Sequence, residues 1–116
     1  MGYSGSCHCG AVAFSVSGDA PTTAMSCNCS HCRRKGFLLS FIPGDSFTLE
    51  TGEDALADYL FNRHAITHRF CTTCGCQPFA MGQGPGGAAT VAVNLRCVPT
   101  IDLDALTVQK VDGASF

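Results

Sequence analysis

Three cysteines within six residues are the feature that most constrains this chain. Cys27, Cys29 and Cys32 are separated only by small or polar residues, and three cations follow directly: Arg33, Arg34 and Lys35. A cationic environment lowers the pKa of a thiol and favours the thiolate, the form that binds metals and attacks electrophiles. Any fold for this sequence must hold three such thiols together, and the remaining cysteines indicate how it does so.

The cysteine content indicates metal binding rather than disulfide bonding. The 116 residues include nine cysteines, an odd number, and they are grouped in C-x-C and C-x-x-C pairs. The first ten residues, MGYSGSCHCG, contain no apolar signal-peptide core. Disulfides persist mainly in secreted proteins, so reduced thiols that hold zinc are the better interpretation. We therefore expect a cytoplasmic protein, and no apolar run approaches the roughly 20 residues that a membrane-spanning helix requires.

Length and charge narrow the class further. A chain of 116 residues with 46% hydrophobic and 14% charged residues is expected to form one globular domain over residues 1–116. Its formal net charge is −2. A nucleic-acid-binding protein needs a basic face, so we expect neither a nucleic-acid partner nor a membrane partner.

Hydrophobic periodicity predicts a mainly β fold. Alternating apolar residues predict a strand over residues 10–18, where Val12, Phe14 and Val16 share one face. Further strands are predicted over 22–26, 36–42, 46–51, 55–62, 65–70, 89–95 and 107–111. We expect the 36–42 strand to be buried on both faces, while the start of 55–62 also fits a helical turn. The glycine-rich segment 81–88 is predicted to be a loop and 102–106 a single helical turn, which makes eight or nine short strands in total.

Two distant cysteine pairs predict a closed zinc site. Residues i and i+2 of a strand point to the same side, so Cys7 and Cys9 would present two sulfurs together. Cys71 and Cys74 form a C-x-x-C turn, and Gly75 allows the chain to bend back without a Cβ clash. Four thiolates make a closed tetrahedral structural site. The alternative is a set of buried thiols or a disulfide pair, which the spacing disfavours.

The Cys27, Cys29 and Cys32 set differs because it offers only three ligands. Three protein ligands leave a fourth position for water or substrate, which is typical of a catalytic zinc. The alternative is a second structural site completed by another residue, and the candidates are Cys76, Cys97, His31 and His8. We expect His31 to be a solvent-facing loop residue, because its neighbours already bind the metal.

Other polar residues have less specific interpretations. Arg33, Arg34 and Lys35 could bind substrate carboxylates, or they could only offset the negative zinc–thiolate cluster and face solvent. His64 and His68 are predicted to be surface residues on a strand, and Cys97 a small core residue. No Ser-His-Asp set, Walker loop or dinucleotide-binding glycine pattern is present.

The order of the three cysteine motifs resembles the glutathione-dependent formaldehyde-activating family, which also includes the centromere protein V type. The motifs are G-x-C-x-C-G at 5–10, C-x-C-S-x-C-R-R at 27–34 and F-C-x-x-C-G at 70–75. The likeness extends to Gly52-Glu53-Asp54 before Tyr59 and to Asn94-Leu95. It covers nearly the whole chain.

This resemblance implies a β-tent fold of small sheets held by a structural zinc. Carried over by position, it implies two zinc ions per chain, a structural one on Cys7, Cys9, Cys71 and Cys74 and a catalytic one on Cys27, Cys29 and Cys32. The family's activity is that of a carbon–sulfur lyase, the reversible condensation of glutathione with formaldehyde to S-hydroxymethylglutathione. Cys76 departs from the pattern, because the family usually has Ser or Thr there.

Three functional classes follow. The first is a zinc-dependent lyase that acts on glutathione or a similar thiol and a small carbonyl compound. The second is a non-catalytic binding module that zinc only stabilises, since family membership does not determine the reaction. The third is a redox-sensing or metal-sensing thiol cluster.

Overall fold

The structure, a computed structural model, describes residues 2–60 and 66–112 of the chain. This part of the chain contains one α-helix, α1 (Ser30–Lys35), and ten strands. The strands are β1 (Tyr3–Ser6), β2 (Ala13–Val16), β3 (Thr23–Cys27), β4 (Leu39–Pro43), β5 (Phe47–Thr51), β6 (Leu56–Tyr59), β7 (Thr67–Cys71), β8 (Phe79–Gln83), β9 (Ala89–Asn94) and β10 (Thr107–Val111). Short 3₁₀ turns lie at Gly44–Ser46, Glu53–Ala55, Pro85–Gly87, Leu95–Cys97 and Leu103–Ala105.

The strands form two sheets. The smaller has the order β1-β2-β5 and the larger the order β10-β3-β4-β9-β8-β7-β6. Neighbouring strands are antiparallel except β10, which runs parallel to β3. The predicted mainly β class is therefore confirmed.

The hydrophobic core joins the two sheets. Val12, Phe14 and Val16, the alternating residues of the predicted 10–18 strand, are all buried. The ring of Phe14 on β2 lies 6.4 Å from that of Phe79 on β8, and Phe47 on β5 lies 4.6 Å from Phe79. Such aromatic contacts stabilise the packing of the two sheets, because they bury apolar area and because the rings meet in favourable relative orientations.

Two predictions about strands of the larger sheet are wrong. Residues 36–42 do not form one strand buried on both faces, because α1 occupies the preceding residues and ends at Gly36, whose φ of +70° suits glycine. Strand β4 begins only at Leu39, and Phe41 within it is 52% exposed. Residues 81–83, predicted to be loop, belong to β8, since all three pair with β9 and Met81 also pairs with β7.

The other predicted strands lie close to their expected places. The segment 55–62 was predicted to be a strand whose start also fits a helical turn. The 3₁₀ turn Glu53–Ala55 includes its first residue and β6 follows, so both the turn and the strand are present. The helical turn predicted over 102–106 is the 3₁₀ turn Leu103–Ala105. Residues 61–65, which include His64 and Ala65, lie outside the described residues. Within the described part of the chain, no helix has the length and apolar character needed to span a bilayer.

Candidate metal centres

The first half of the four-thiol cluster (Cys7, Cys9, Cys71 and Cys74) lies in a turn. The sequence analysis placed Cys7 and Cys9 on a strand, but β1 ends at Ser6. The Cys7 amide donates to the Val12 carbonyl at 3.0 Å, and the Gly10 amide donates to the Cys7 carbonyl at 3.2 Å. The tight turn, rather than strand alternation, brings the two sulfurs together.

The second half is the predicted C-x-x-C turn. Cys71 is the last residue of β7, and the Gly75 amide donates to the Cys71 carbonyl at 2.9 Å, which closes the turn. Gly75 has a φ of +78°, a conformation that favours glycine. The chain therefore reverses immediately after Cys74, as predicted from the glycine.

The sulfur geometry of the four-thiol cluster fits zinc. All four sulfurs lie within 4.8 Å of one another, and Cys9 Sγ is 3.7 Å from both Cys7 Sγ and Cys71 Sγ. Tetrahedral ligands at about 2.3 Å from zinc are separated by about 3.8 Å. A disulfide requires about 2.05 Å, so these distances match ligands of one ion rather than a bonded pair.

Backbone amides favour thiolates in this cluster. The Val12 amide donates to Cys7 Sγ at 3.3 Å, and the Thr73 amide donates to Cys71 Sγ at 3.4 Å. Amide donation from Cys76 and then Cys9 lowers the pKa of Cys74 to about 5. Hydrogen bonds to a charged form favour that form, so amide donation favours the thiolates of Cys71 and Cys74. At Cys9 a backbone hydrogen bond from Ala11 acts in the same direction, but burial and the neighbouring thiols outweigh it and raise the pKa to about 11.

The four-thiol cluster also connects the two sheets. Cys7 follows β1 of the smaller sheet, whereas Cys71 ends β7 of the larger one. Both residues belong to the main hydrophobic core, with exposed fractions of 2% and 0%. An ion held here would bridge chain segments that are far apart in sequence.

The three-thiol cluster (Cys27, Cys29 and Cys32) lies where β3 passes into α1. Cys27 ends β3, Cys29 is the N-cap of α1, and Cys32 is inside the helix. The Cys32 amide donates to Cys29 Sγ at 3.3 Å, and the Cys29 amide donates to Cys27 Sγ at 3.4 Å. A cysteine sulfur thus takes the role that a Ser or Asp oxygen usually has at an N-cap.

This second cluster has three ligands and no fourth among the described residues. Its sulfurs lie within 4.8 Å of one another, and no other Cys, His, Asp or Glu there has a ligand atom within that distance of all three. The four residues considered as completing ligands, Cys76, Cys97, His31 and His8, are therefore not part of it.

Opposing effects act on the three thiols. Burial raises the pKa of Cys32, and the neighbouring thiols raise it further. At Cys29 burial also acts upward, but the Cys32 amide and thiol and the His31 amide outweigh it, so the pKa of Cys29 is lowered. Within one cluster, therefore, the surroundings favour the thiolate at Cys29 and the protonated thiol at Cys32.

An apolar cavity of about 300 Å³ opens beside the three-thiol cluster. Its wall consists mainly of aliphatic and aromatic side chains, among them Phe37, Leu39, Phe79, Ala80 and Ala92. No Lys, Arg, Asp or Glu among the described residues lines it. This wall could not be predicted from the sequence pattern, because β8, which supplies Phe79 and Ala80, was not predicted as a strand.

Among the described residues of this wall, His68 is one of three polar residues with buried side chains, with Gln77 and Asn94. It was predicted to be a surface residue, but it is 6% exposed, and Gln77 Nε2 lies 3.0 Å from His68 Nδ1. Burial, with smaller contributions from the charges of His31 and Lys35, lowers the pKa of His68 to about 4. The His68 ring is therefore neutral near pH 7, and it faces the same cavity as the three thiols.

His31 is likewise not a solvent-facing loop residue. It lies in α1, its ring centroid is 4.2 Å from that of His68, and it stacks on Tyr59 at 5.4 Å. Burial, then the Lys35 charge, lowers its pKa. The prediction was wrong because α1 turns His31 away from the three thiols beside it and toward β6 and β7.

Arg33 and Arg34 lie on the exposed side of α1. The Arg34 guanidinium donates to the Ser30 carbonyl at 2.7 Å, and Arg34 and Lys35 border a separate surface hollow with Tyr59. Neither arginine lines the apolar cavity. Their predicted role in substrate binding stays a prediction.

The two remaining cysteines, Cys76 and Cys97, lie outside both clusters. Both are half-buried and pack against the main core. Burial, followed by the nearby thiols, raises the pKa of Cys97 to about 12. Cys97 is thus protonated near pH 7 and packs against the core, consistent with the prediction of a small core residue.

Comparison with known proteins agrees with the motif order. The family model for the glutathione-dependent formaldehyde-activating enzyme matches residues 2–104. Among solved structures, a crystal structure of a Rhodobacter sphaeroides protein is similar, with 26% sequence identity and a TM-score of 0.78. That match covers 91% of this chain and 99% of the other. With its cysteine motifs, its two thiol clusters and a family match over most of its length, the chain belongs to the glutathione-dependent formaldehyde-activating family.

Proposed function

We propose that this protein is a zinc-dependent carbon–sulfur lyase that reversibly condenses glutathione, or a similar thiol, with formaldehyde or a similar carbonyl compound. The observation that carries the proposal is the three-thiol cluster, which has no fourth ligand among the described residues and lies beside a cavity. A zinc ion with four protein ligands has no coordination position left for a substrate. A zinc ion with three protein ligands has one open position.

In this proposal the four-thiol cluster is structural. Cys7, Cys9, Cys71 and Cys74 would hold one zinc with every position taken by protein. The burial of Cys7 and Cys71 in the core and the link that the cluster forms between the two sheets support a role in folding rather than in chemistry.

Cys27, Cys29 and Cys32 would hold the second, catalytic zinc. When bound, the ion supplies Lewis acidity that lowers the pKa of a thiol or polarises a carbonyl oxygen. The chemistry is an addition: the S–H proton passes to the carbonyl oxygen while a C–S bond replaces the C=O π bond. The reverse reaction regenerates the thiol and the aldehyde, so no oxidant or reductant is involved.

The protein's own residues would orient the reactants. His68 is fixed by its contact with Gln77, whose backbone carbonyl accepts from Asn94 Nδ2 at 3.1 Å. All three residues line the cavity and are buried. Such a constrained polar set can hydrogen-bond an oxygen of the substrate in one orientation, while the apolar wall excludes water.

Zinc content and reaction rate together test this function. Wild-type protein should contain two zinc ions per chain and should accelerate exchange between glutathione and ¹³C-formaldehyde, observed by NMR. Cys29→Ser should fold, retain one zinc and lose about 100-fold or more of the rate, the scale of losing one electrostatic contributor to a transition state. Cys97→Ser, a matched change outside both clusters, should retain both ions and the rate.

Two results would contradict the proposal. If wild-type protein with two zinc ions gave no acceleration, the protein would be a binding module that zinc stabilises. If Cys29→Ser retained both ions and full activity, the three-thiol cluster would not be the reactive site.

A further inference from the structure

We propose that the carbonyl substrate of this protein is an aldehyde that carries an apolar group about the size of a phenyl ring, and that this group occupies the apolar cavity. The inference rests on the proposed function and deepens it, because it names the substrate class. Three observations carry it: the size of the cavity, the chemistry of its wall and the position of the cations.

The cavity is much larger than formaldehyde requires. Its volume is about 300 Å³, within the range of small-molecule sites. One water accounts for about 30 Å³ of liquid, and a cavity of about 150 Å³ lined by Leu, Ile and Phe accommodates benzene. A one-carbon aldehyde would leave most of this space to water or to vacuum, while a phenyl-sized group would fill a large part of it.

The wall of the cavity selects an apolar occupant. Phe37 and Phe79 provide aromatic surfaces, and Ala80 and Ala92 lie opposite each other on β8 and β9. The two short side chains keep the floor open, and both are less than 10% exposed. Phe41 and Ile66, which are 52% and 51% exposed, also line the cavity and lie toward solvent. Apolar surface of this kind gains free energy by covering an apolar group, and the described lining offers no side chain of opposite charge to a charged group.

The positions of the cationic side chains indicate where the carboxylates of a thiol such as glutathione would bind. Glutathione carries carboxylates, and these need cationic or hydrogen-bonding partners. Arg33, Arg34 and Lys35 are exposed on α1, outside the cavity, whereas the cavity has no cationic side chain among the described residues. The charged ends of the thiol would therefore stay at the surface, and the cavity would remain for the group attached to the carbonyl carbon.

The reaction with such an aldehyde balances without a further reactant. The thiol sulfur bonds to the carbonyl carbon, the C=O π bond breaks, and the carbonyl oxygen takes the thiol proton. The product is a hemithioacetal whose apolar substituent remains in the cavity. The wall beside the sulfur ligands would thus determine which aldehydes react.

The test compares benzaldehyde with formaldehyde, each with glutathione, in zinc-loaded protein. Each rate is divided by its uncatalysed rate, so that the greater intrinsic reactivity of formaldehyde cancels. We expect the acceleration to be at least about tenfold greater for benzaldehyde, since even one extra methylene group in an apolar pocket is worth about 10- to 200-fold. Ala80→Leu, which fills the floor, should reduce the benzaldehyde-to-formaldehyde ratio by at least about tenfold.

A binding measurement provides a readout that does not depend on activity. Met25 lines the cavity, so its ¹³C-labelled methyl resonance should shift and saturate when benzaldehyde is added. The shift should be absent in Ala80→Leu and preserved in Ala89→Leu, the same change at an exposed position on β9. Ala92→Leu fills the floor from the neighbouring strand and serves if Ala80→Leu does not fold.

The outcomes separate this inference from the proposed function. Acceleration of the formaldehyde reaction without acceleration of the benzaldehyde reaction would overturn the inference and leave the proposed function intact. An unchanged benzaldehyde-to-formaldehyde ratio in folded Ala80→Leu and Ala92→Leu would also overturn it. Acceleration of neither aldehyde would overturn the proposed function, and the inference with it.

Discussion

Replacing one ligand in each thiol cluster should destabilise the protein to different degrees. Cys9→Ser removes a ligand of the four-thiol cluster, and Cys29→Ser removes one of the three-thiol cluster. Cys9 is exposed, so serine there costs little packing, and the effect reports the loss of the metal link. Because structural zinc binding is coupled to folding, the link contributes directly to the free energy of unfolding.

The separation of the ligands in sequence determines the size of each effect. Cys9 and Cys71 are 62 residues apart, and closing a loop of that length in the unfolded chain is worth about 4 kcal/mol when the metal is treated as a cross-link. The ligands from Cys27 to Cys32 close a loop of only about five residues, worth about 2 kcal/mol. At about 4 °C per kcal/mol for a domain of this size, Tm should fall by about 16 °C in Cys9→Ser and by about 8 °C or less in Cys29→Ser.

Thermal unfolding followed by circular dichroism, together with zinc content by mass spectrometry, measures both effects. The control is Cys76→Ser, which changes a half-buried thiol outside both clusters. If Cys29→Ser lowered Tm as much as Cys9→Ser, the division into a structural and an open site would be wrong. If Cys9→Ser and Cys29→Ser kept the zinc content of the wild-type protein, the assumption that these thiols bind the ions would be refuted.

Three further outcomes are expected. Arg33→Ala with Arg34→Ala should weaken glutathione binding by about tenfold and flatten its salt dependence, which calorimetry would detect; unchanged affinity would exclude these residues from binding. Cys76→Ser should retain two zinc ions and full activity, and loss of one ion would mean that Cys76 is a ligand. His68 has a pKa of about 4 in the folded protein and about 6.5 when unfolded, so its contribution to stability is present above pH 6.5 and is lost as pH falls toward 4. His68→Gln should therefore show a smaller loss of urea stability between pH 7 and 5 than wild type, and an equal loss would contradict the buried neutral state.

Much of the architecture could be predicted from local pattern. The alternation at Val12, Phe14 and Val16 predicted a strand, and all three side chains are buried. The C-x-x-C-G motif predicted the turn after Cys71, since Gly75 adopts a positive φ. These features depend on residues that are near one another in sequence, so the sequence alone contains the information.

Features that depend on partner strands could not be predicted in this way. Strand β8 includes Met81 and Gly82, and its glycine content indicated a loop, but the ladders to β7 and β9 hold it extended. The same limitation hid the cavity, because its floor exists only where Ala80 and Ala92 meet across two strands. Strand propensity is weak and dependent on context, so pairing overrides it.

The sequence by itself determined which thiols lie together within each motif, because their short spacing restricts where the sulfurs can lie. It did not determine how the histidines are placed. His31 and His68 were both predicted to be exposed, and the structure brings their rings to 4.2 Å in the space between α1 and β7. That contact joins residues 37 positions apart in sequence, and no periodic pattern encodes a pairing at such a distance. Only tertiary packing decided that Cys27, Cys29 and Cys32 face a mainly apolar cavity with a neutral imidazole in its wall.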